Sequence, residues 1–273
     1  MKSVPSMSWD GSIGGFHVNT IHFTEIGSTQ SYIHEICKEK LQSSGTIDAS
    51  RVFVVSADHQ SEGRGKGDRS WFSESSSDSV AMSFLFALPS CLIKKAAFVT
   101  QLLALSAVDS LSVFGIIESK VKWPNDILLA GKKIGGILAE MCPLSEDFQA
   151  IIIGIGMNID ISDESLEGGV GRGRVIAPGA VKQITGREVS CSKLRFALME
   201  QFLSNLSDFL RDKSPEKYIA RLNGKQAFVD SQILFRTSPS ETIKGVHRGI
   251  SSDGGIVIES CNGLLRTLYS GEI

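Results

Sequence analysis

The chain has 273 residues, 42% of them hydrophobic, with 28 Lys and Arg against 30 Asp and Glu for a formal net charge of -2. That length buries a core without staples, and the charge speaks against a protein that grips nucleic acid through a global basic field. Five dispersed cysteines (Cys37, Cys91, Cys142, Cys191, Cys261) form no C-x-x-C pair, which excludes a disulfide framework and a zinc ribbon and favours a reducing, cytoplasmic setting. No signal-like apolar run follows Lys2 and no window approaches the ~18 apolar residues of a membrane span, so no membrane partner is expected.

In chain order, residues 1–15 are Ser/Gly-rich and read as a flexible N-terminal tail. His17–Phe23 alternates as a strand. Ser28-Thr29 suits a helix N-cap, with Ile33, Ile36, Cys37 and Leu41 following at helical spacing. Arg51–Ser56 reads as a short buried strand, and a long loop runs from Asp58 to Ser79. Val80, Met82, Phe84, Phe86 and Leu88 recur with period two, and Lys94–Leu111 is an apolar helix. Val121–Trp123, Ile127–Leu129, Ile134–Met141 and Gln149–Ile155 are short strands joined by tight turns, which predicts antiparallel pairing. Glu167–Arg174 reads as a loop and Ser192–Leu210 as an amphipathic helix. From residue 224 the pattern changes to short strands, beginning with Gln226–Arg236, with turns at Ser238-Pro239, Asp253-Gly254-Gly255 and Asn262-Gly263. The expected architecture is an α+β domain over 16–223, its mixed sheet mainly antiparallel, followed by a small C-terminal β-barrel over 224–273.

Two segments carry chemistry. Gly63-Arg64-Gly65-Lys66-Gly67-Asp68-Arg69-Ser70-Trp71 leaves a buried strand as a Gly-rich basic loop. Such a loop exposes backbone N–H groups to an anion, and its Arg and Lys add fixed charge. It fits neither G-x-x-x-x-G-K-[ST] nor G-x-G-x-x-G, and composition alone is equally compatible with a solvated basic loop. Lys122-Trp123-Pro124-Asn125-Asp126 reads first as a turn with an anchoring tryptophan, because Pro124 biases Trp123 to extended backbone. Lys133 follows in the Ile/Gly-rich run Ile134-Gly135-Gly136-Ile137. A lysine on a buried face requires an anionic partner; on a surface it snorkels. His59 beside the loop reads as a polar loop residue, and no Ser-His-Asp arrangement is legible.

Taken together these segments resemble the biotin protein ligase (holocarboxylase synthetase) family, from about Thr24 to Ile273. The resemblance rests on Gly27-Ser28-Thr29-Gln30, Gln60, the Gly63-Arg64-Gly65 loop, Lys122–Asp126, Lys133–Leu138, Gly154-x-Gly156-x-Asn158, Gly249–Gly254 and Ser270–Ile273. It implies a catalytic domain like those of class II aminoacyl-tRNA synthetases and biotin–lipoate ligases, with a small SH3-like C-terminal barrel. It implies ATP-dependent biotinylation of a lysine on a biotin carboxyl carrier domain of acetyl-CoA carboxylase or a related carboxylase, through biotinyl-5′-AMP. By the same resemblance Lys133, Arg64 and Asp126 are the catalytic residues, Asp126 orienting or deprotonating the acceptor lysine. Ser28, Thr29, Gln30, Gln60, Gly63, Arg64, Gly65, Lys133, Gly135 and Gly136 would bind biotin. Lys66, Arg69, Trp71, Asn125 and Asn158 would bind the nucleotide, with Trp71 as adenine platform. Mg²⁺ would arrive on the ATP phosphates rather than in a protein metal site. A homodimer is allowed, and with no winged helix in view no DNA partner or repressor role is expected. Two departures stand out: Asp68 sets a negative charge near the phosphates, and Ile161–Pro178 lacks the tryptophan that some members place over adenine. A lipoate ligase and a non-enzymatic nucleotide- or RNA-binding module are the alternatives.

Overall fold

The protein is described here from a computed structural model covering residues 4–67, 69–73, 79–162, 164–166, 176–238 and 240–273. An eight-stranded sheet forms from β1 (Met7–Ile13), β2 (Phe16–Ile26), β3 (Arg51–Gln60), β4 (Ser79–Pro89), β5 (Lys120–Lys122), β6 (Asp126–Leu129), β7 (Lys132–Pro143) and β8 (Phe148–Asn158). Its order is β1-β2-β3-β4-β8-β7-β6-β5. Only β2 and β3 run parallel; they are joined by the crossover helix α1 (Thr29–Ser44), and every other neighbour pair is antiparallel. The expected mixed, mainly antiparallel sheet is present.

Strand alternation divides the side chains between two cores. Val52, Val54, Phe84, Phe86, Ile151 and Ile153 face α2 (Ala96–Val113) and, beyond α3 (Val181–Thr185), α4 (Cys191–Asp212) and α5 (Glu216–Lys225). Phe53, Val55, Leu85, Ala87 and Ile152 face α1, which buries Ile33 and Cys37 against them. The central strand β4 is therefore buried on both faces from Ser79 to Leu88. Helix α1 starts where the Ser28 hydroxyl accepts from the Ser31 N–H and stops at Gly45, left-handed at φ 69°.

Among the described residues the segment Ser90–Val113 is long and apolar enough by composition to cross a membrane, which corrects the expectation that no such window exists. In this fold it is a 3₁₀ turn (Ser90–Lys95) running into α2, most of whose side chains are buried between the sheet and α4. Its serines are accommodated locally: the Ser106 and Ser110 hydroxyls donate to the carbonyls of Leu102 and Ser106.

Three expectations about local structure are corrected. The supposed N-terminal tail contains β1, paired with β2 from Met7 to Ile13 across Gly14-Gly15, both at positive φ. That Gly-Gly pair is a hairpin signal, which the Ser/Gly composition masked. Helix α5 was not anticipated, because its Asn223-Gly224 reads as a turn. The strand expected from Gln226 begins at β9 (Gln232–Ser238); residues 226–231 instead turn the chain, with the Ala227 N–H donating to the Val121 carbonyl.

β9, β10 (Glu241–Ile250), β11 (Ile256–Ser260) and β12 (Leu265–Leu268) form a four-stranded antiparallel sheet, with one further bridge between Arg236 and Glu272. Its core comprises Ile233, Phe235, Ile250, Ile256 and Ile258 together with Trp123 from the larger domain. The Trp123 Nε1–H donates to the Gly254 carbonyl at 3.0 Å, and its rings lie 5.6 Å from Phe235. The tryptophan after β5 is thus the anchor of the C-terminal sheet, as the bland reading of that motif held.

Candidate active site

On the α1 face of the sheet, beyond the N-terminus of that helix, the strands carry glycine instead of core side chains. Gly136 on β7 pairs with Gly156 on β8, and Gly154 pairs with Ser83 on β4. A Cβ at Gly154 would lie 2.5 Å from Gln30 Oε1, and one at Gly156 would lie 2.5 Å from the Trp71 indole. These missing side chains make the floor of a cavity of about 430 Å³.

One end of the cavity is a hydrogen-bond network. Gln60 Oε1 accepts from the Thr29 N–H at 2.7 Å and from the Thr29 hydroxyl at 3.1 Å. The Gln60 amide nitrogen has no protein partner among the described residues. Ser83 Oγ donates to Gln30 Oε1 at 3.0 Å, and Gln30 Nε2 donates to Glu140 Oε2 at 2.8 Å. Glu140 also receives Arg64 Nη2 at 2.8 Å and lies 2.9 Å from His34 Nε2. Burial alone would raise the Glu140 pKa, but the bonds from Gln30, His34 and Arg64 outweigh it and hold the carboxyl below its ordinary value. Sequence reasoning missed Glu140; the available signal was its position two and four residues after Leu138 and Gly136, on the inward face of β7. Ser83 was missed in the same way, as a small residue between the bulky ones of β4.

The Gly–basic loop folds as a narrow hairpin. The Trp71 N–H donates to the Gly63 carbonyl, the Gly65 N–H to the Arg69 carbonyl, and Arg64 bridges to Ser70. A Cβ on Gly63 would lie 2.4 Å from the Trp71 carbonyl oxygen, so only glycine fits there. The Gly65 and Trp71 N–H groups are spent inside the hairpin. Those two donors are therefore not offered to an anion, and the loop adds positive charge through its side chains. Asp68 lies outside the described residues, as does the Arg/Gly stretch 167–174. From the region lacking a tryptophan, Ile176 lines the cavity, and Ala177 and Gly179 exchange backbone hydrogen bonds with Lys133.

The other end is cationic. Lys66, Arg69, Lys122, Lys133 and Arg236 line it together with two carboxylates, Asp126 and Glu272. Lys133 is ion-paired to Asp126, so the first role of Asp126 is to hold that lysine. Arg69 Nη2 lies 3.1 Å from Glu272, which the C-terminal segment carries into the site. Burial would raise the Glu272 pKa, yet Arg69, Lys66 and Lys122 hold it below the ordinary value. Burial pushes the Lys122 ammonium down, opposed by Asp126 and Glu272. Arg236 and Glu272 were absent from the expected site, since docking of the second sheet is not legible locally.

Of the residues expected to bind ligands, Ser28, Thr29, Gln30, Gln60, Arg64, Gly65, Lys66, Arg69, Trp71, Asn125, Asp126, Lys133 and Gly136 all line this cavity. Gly63 does not; it sits at the base of the hairpin, paired with Trp71. Gly135 packs toward the β8 backbone and Ile127 instead. Asn158 is buried outside the lining and donates one N–H of its side-chain amide to the Gly179 carbonyl at 3.1 Å. Asn125 lines the cavity and donates one of its two amide N–H groups to the Ile137 carbonyl at 2.7 Å.

Comparison with known proteins agrees with this geometry. Residues 26–158 match the Biotin/lipoate A/B protein ligase family, and residues 229–273 match the Biotin protein ligase C terminal domain. The bifunctional ligase/repressor BirA of Bacillus spizizenii is 27% identical over 249 residues, covering 91% of this chain and 71% of the relative. The Bacillus subtilis BirA is 35% identical over 140 residues, covering 51% of this chain and 40% of its own length. The structure of the biotin protein ligase from Aquifex aeolicus in complex with biotin and ATP superimposes with a TM-score of 0.68 at 24% identity, covering 93% of this chain and 96% of that one; at that identity the likeness speaks for the fold. With both matched domains in order and together spanning more than half of its length, the chain belongs to the biotin protein ligase branch of the biotin/lipoate protein ligase family.

Proposed function

We propose that this protein joins biotin to a lysine of a biotin carboxyl carrier domain, of acetyl-CoA carboxylase or a related carboxylase, at the expense of ATP. The observation that carries the reading is the polarity of the cavity. A largely matched, nearly neutral network at one end, with one amide donor left open, suits an uncharged ureido ring. An excess of cations at the other suits a carboxylate meeting a triphosphate.

A biotin carboxylate oxygen attacks the α-phosphorus, the bond to the leaving oxygen breaks, and pyrophosphate departs to give biotinyl-5′-AMP. The neutral amine of the acceptor lysine then attacks the acyl carbon. The acyl–oxygen bond breaks, AMP leaves, and the amine loses its extra proton. Lys133, on the glycine floor and steadied by Asp126, offsets the repulsion of the two anions in the first step. The Gln60 amide nitrogen is available to the ureido oxygen. The Trp71 indole over Gly156 provides the surface for adenine, and the Gly63–Trp71 hairpin shields the hydrolysable anhydride from water. Among the described residues no three His, Cys, Asp or Glu side chains gather as a metal cluster. A Mg²⁺ brought in on the nucleotide would draw its ligands from the phosphates, as that ion commonly does, with Asp126 and Glu272 the nearest carboxylates on the lining. When bound it would neutralise phosphate charge. The free cysteines suit a reducing compartment, and we place the reaction in the cytoplasm.

Biotin-dependent ATP–pyrophosphate exchange by the purified protein, with lipoate as the parallel acid, tests the reading. Exchange with biotin alone is expected; exchange with lipoate alone would move the chain to the lipoate side of its family. Lys133→Ala should lower exchange roughly 10³-fold with an unchanged circular dichroism spectrum, and near-normal turnover would remove Lys133 from the chemistry.

A further inference from the structure

One face of α1 carries Gln30, His34 and Cys37 on successive turns. The inward face of β7 presents Leu138, Glu140 and Cys142 by strand alternation. The two rows meet in step. Gln30 Nε2 donates to Glu140 at 2.8 Å and reaches the Leu138 carbonyl at 3.4 Å, and His34 Nε2 lies 2.9 Å from Glu140. One turn further along the helix and two residues further along the strand, Cys37 meets Cys142 in the core beneath α1. Cys37 is 2% exposed, whereas Cys142 is half-buried and open to a small reagent. Burial, with the Cys142 thiol hydrogen-bonded beside it, pushes the Cys37 thiol up to about 11. Neither sulfur has a part in adenylation or acyl transfer. Cys91, Cys191 and Cys261 belong to other elements: the 3₁₀ turn, the start of α4 and the segment after β11.

We propose that Cys37 and Cys142 form a reversible disulfide with a low-molecular-weight disulfide such as oxidised glutathione as co-reactant, and that its closure weakens biotin binding. The effect on biotin rests on the ligase reading above; the thiol site does not. The Cys142 thiolate attacks one sulfur of the co-reactant, whose S–S bond breaks and whose first thiolate leaves. Cys37 then gives up its proton and attacks the Cys142 sulfur, and the second thiolate leaves. Two cysteine sulfurs are oxidised, two co-reactant sulfurs are reduced to thiols, and the two cysteine protons end on them. A transient, sensing disulfide of this kind is the form compatible with a reducing compartment. Bonding the sulfurs demands a closer approach of helix and strand than contact does. The ladder from β7 to β8 holds the strand as far as Pro143, so α1 is the partner that shifts. A rigid helix carries that shift to its first turn, where Thr29 and Gln30 line the neutral end of the cavity.

The purified full chain is equilibrated with oxidised and reduced glutathione, quenched by alkylation and mapped by peptide mass. A Cys37–Cys142 peptide is expected, reversed by dithiothreitol. Because Cys37 must ionise, closure should be roughly tenfold faster at pH ~8.5 than at pH ~7.5. The calorimetric Kd for biotin should rise about tenfold on oxidation, return on reduction, and stay constant in oxidant-treated Cys142→Ser. Cys37→Ala is the second variant and should accumulate the mixed disulfide at Cys142. A mixed disulfide that persists in wild type without closure would overturn the proposal, as would a cross-link through Cys91, Cys191 or Cys261 in its place, or an unchanged biotin affinity in the closed protein. Closure in a chain that binds no biotin even when reduced would sustain the thiol site and sink the ligase reading. Biotin-dependent exchange indifferent to oxidant, with no Cys37–Cys142 peptide, would do the reverse.

Discussion

The two ends of the cavity solve opposite problems. At the Gln30–Gln60 end the donors and acceptors are largely matched within the protein: Glu140 alone gathers Gln30, His34 and Arg64. At the Lys133 end five cations share two carboxylates among the described residues, and the ion pairs Lys133–Asp126 and Arg69–Glu272 do not include Lys122. The first end is ordered before a ligand arrives and discriminates by shape and hydrogen bonding. The second is electrostatically incomplete and gains its stability when anions bind. The origins differ too. The neutral end is built from α1, β3, β4, β7, β8 and the hairpin, within one domain. The cationic end also needs Arg236 from β9 and Glu272 from the segment after β12.

The dependence on two domains gives the largest expected effect. Trp123→Ala removes a side chain 1% exposed from the core of the C-terminal sheet, together with its bond to the Gly254 carbonyl. A buried tryptophan truncation costs about 3–5 kcal/mol. Below the lowered melting temperature, biotin binding by calorimetry should persist while the KM for ATP rises, because only the cationic end depends on where that sheet sits. Parallel loss of both affinities would show that the two ends are not separable.

The same division governed what was legible in the sequence. Ser28, Thr29, Gln60, Arg64 and Lys133 lie in short local motifs, and local motifs survive being read without a fold. Glu140 and Ser83 carry no motif; only strand alternation places them, and only once the strand's inward face is known. Arg236 and Glu272 reach the site through the docking of a second sheet, a long-range event with no local signature. Asn158 stands in a glycine-rich run, and the fold adds what that run does not show: its side-chain amide donates to the Gly179 carbonyl, holding the segment that runs beside Lys133. Likewise β1 was hidden by a Ser/Gly composition, although Gly14-Gly15 supplied the turn for it. The sheet, its two principal helices and the position of the second domain follow from periodicity, because long apolar repeats tolerate few alternatives.

Glu140→Gln sharpens the comparison at the neutral end. The substitution keeps the side-chain shape but removes the charge that draws Arg64 and His34 together. The KM for biotin should rise about tenfold, near 1.4 kcal/mol, with kcat and the KM for ATP close to wild type. Arg69→Ala should give the mirror image, a higher KM for ATP that depends on ionic strength and an unchanged KM for biotin. A rise in both constants for either variant would mean that the hairpin moves as one piece and couples the two ends.

The smallest effect is the dependence of stability on pH. Both Glu140 and Glu272 have carboxyl pKa values held below the ordinary one in the folded protein. Such a group contributes stability that is complete above its unfolded value, ~4.3, and that is lost as pH falls through the lowered folded value. Urea midpoints measured from pH 6 down to pH ~3.5 should therefore fall for wild type, and the fall should be shallower for Glu140→Gln, by less than ~1 kcal/mol. Glu272→Gln should flatten the acid limb less. The Arg69 and Glu272 side chains are 54% and 47% exposed, against 41% and 27% for Arg64 and Glu140, so solvent screens the second pair more. A larger effect at Glu272 would reverse the comparison, making the cationic end the one already satisfied before ATP arrives.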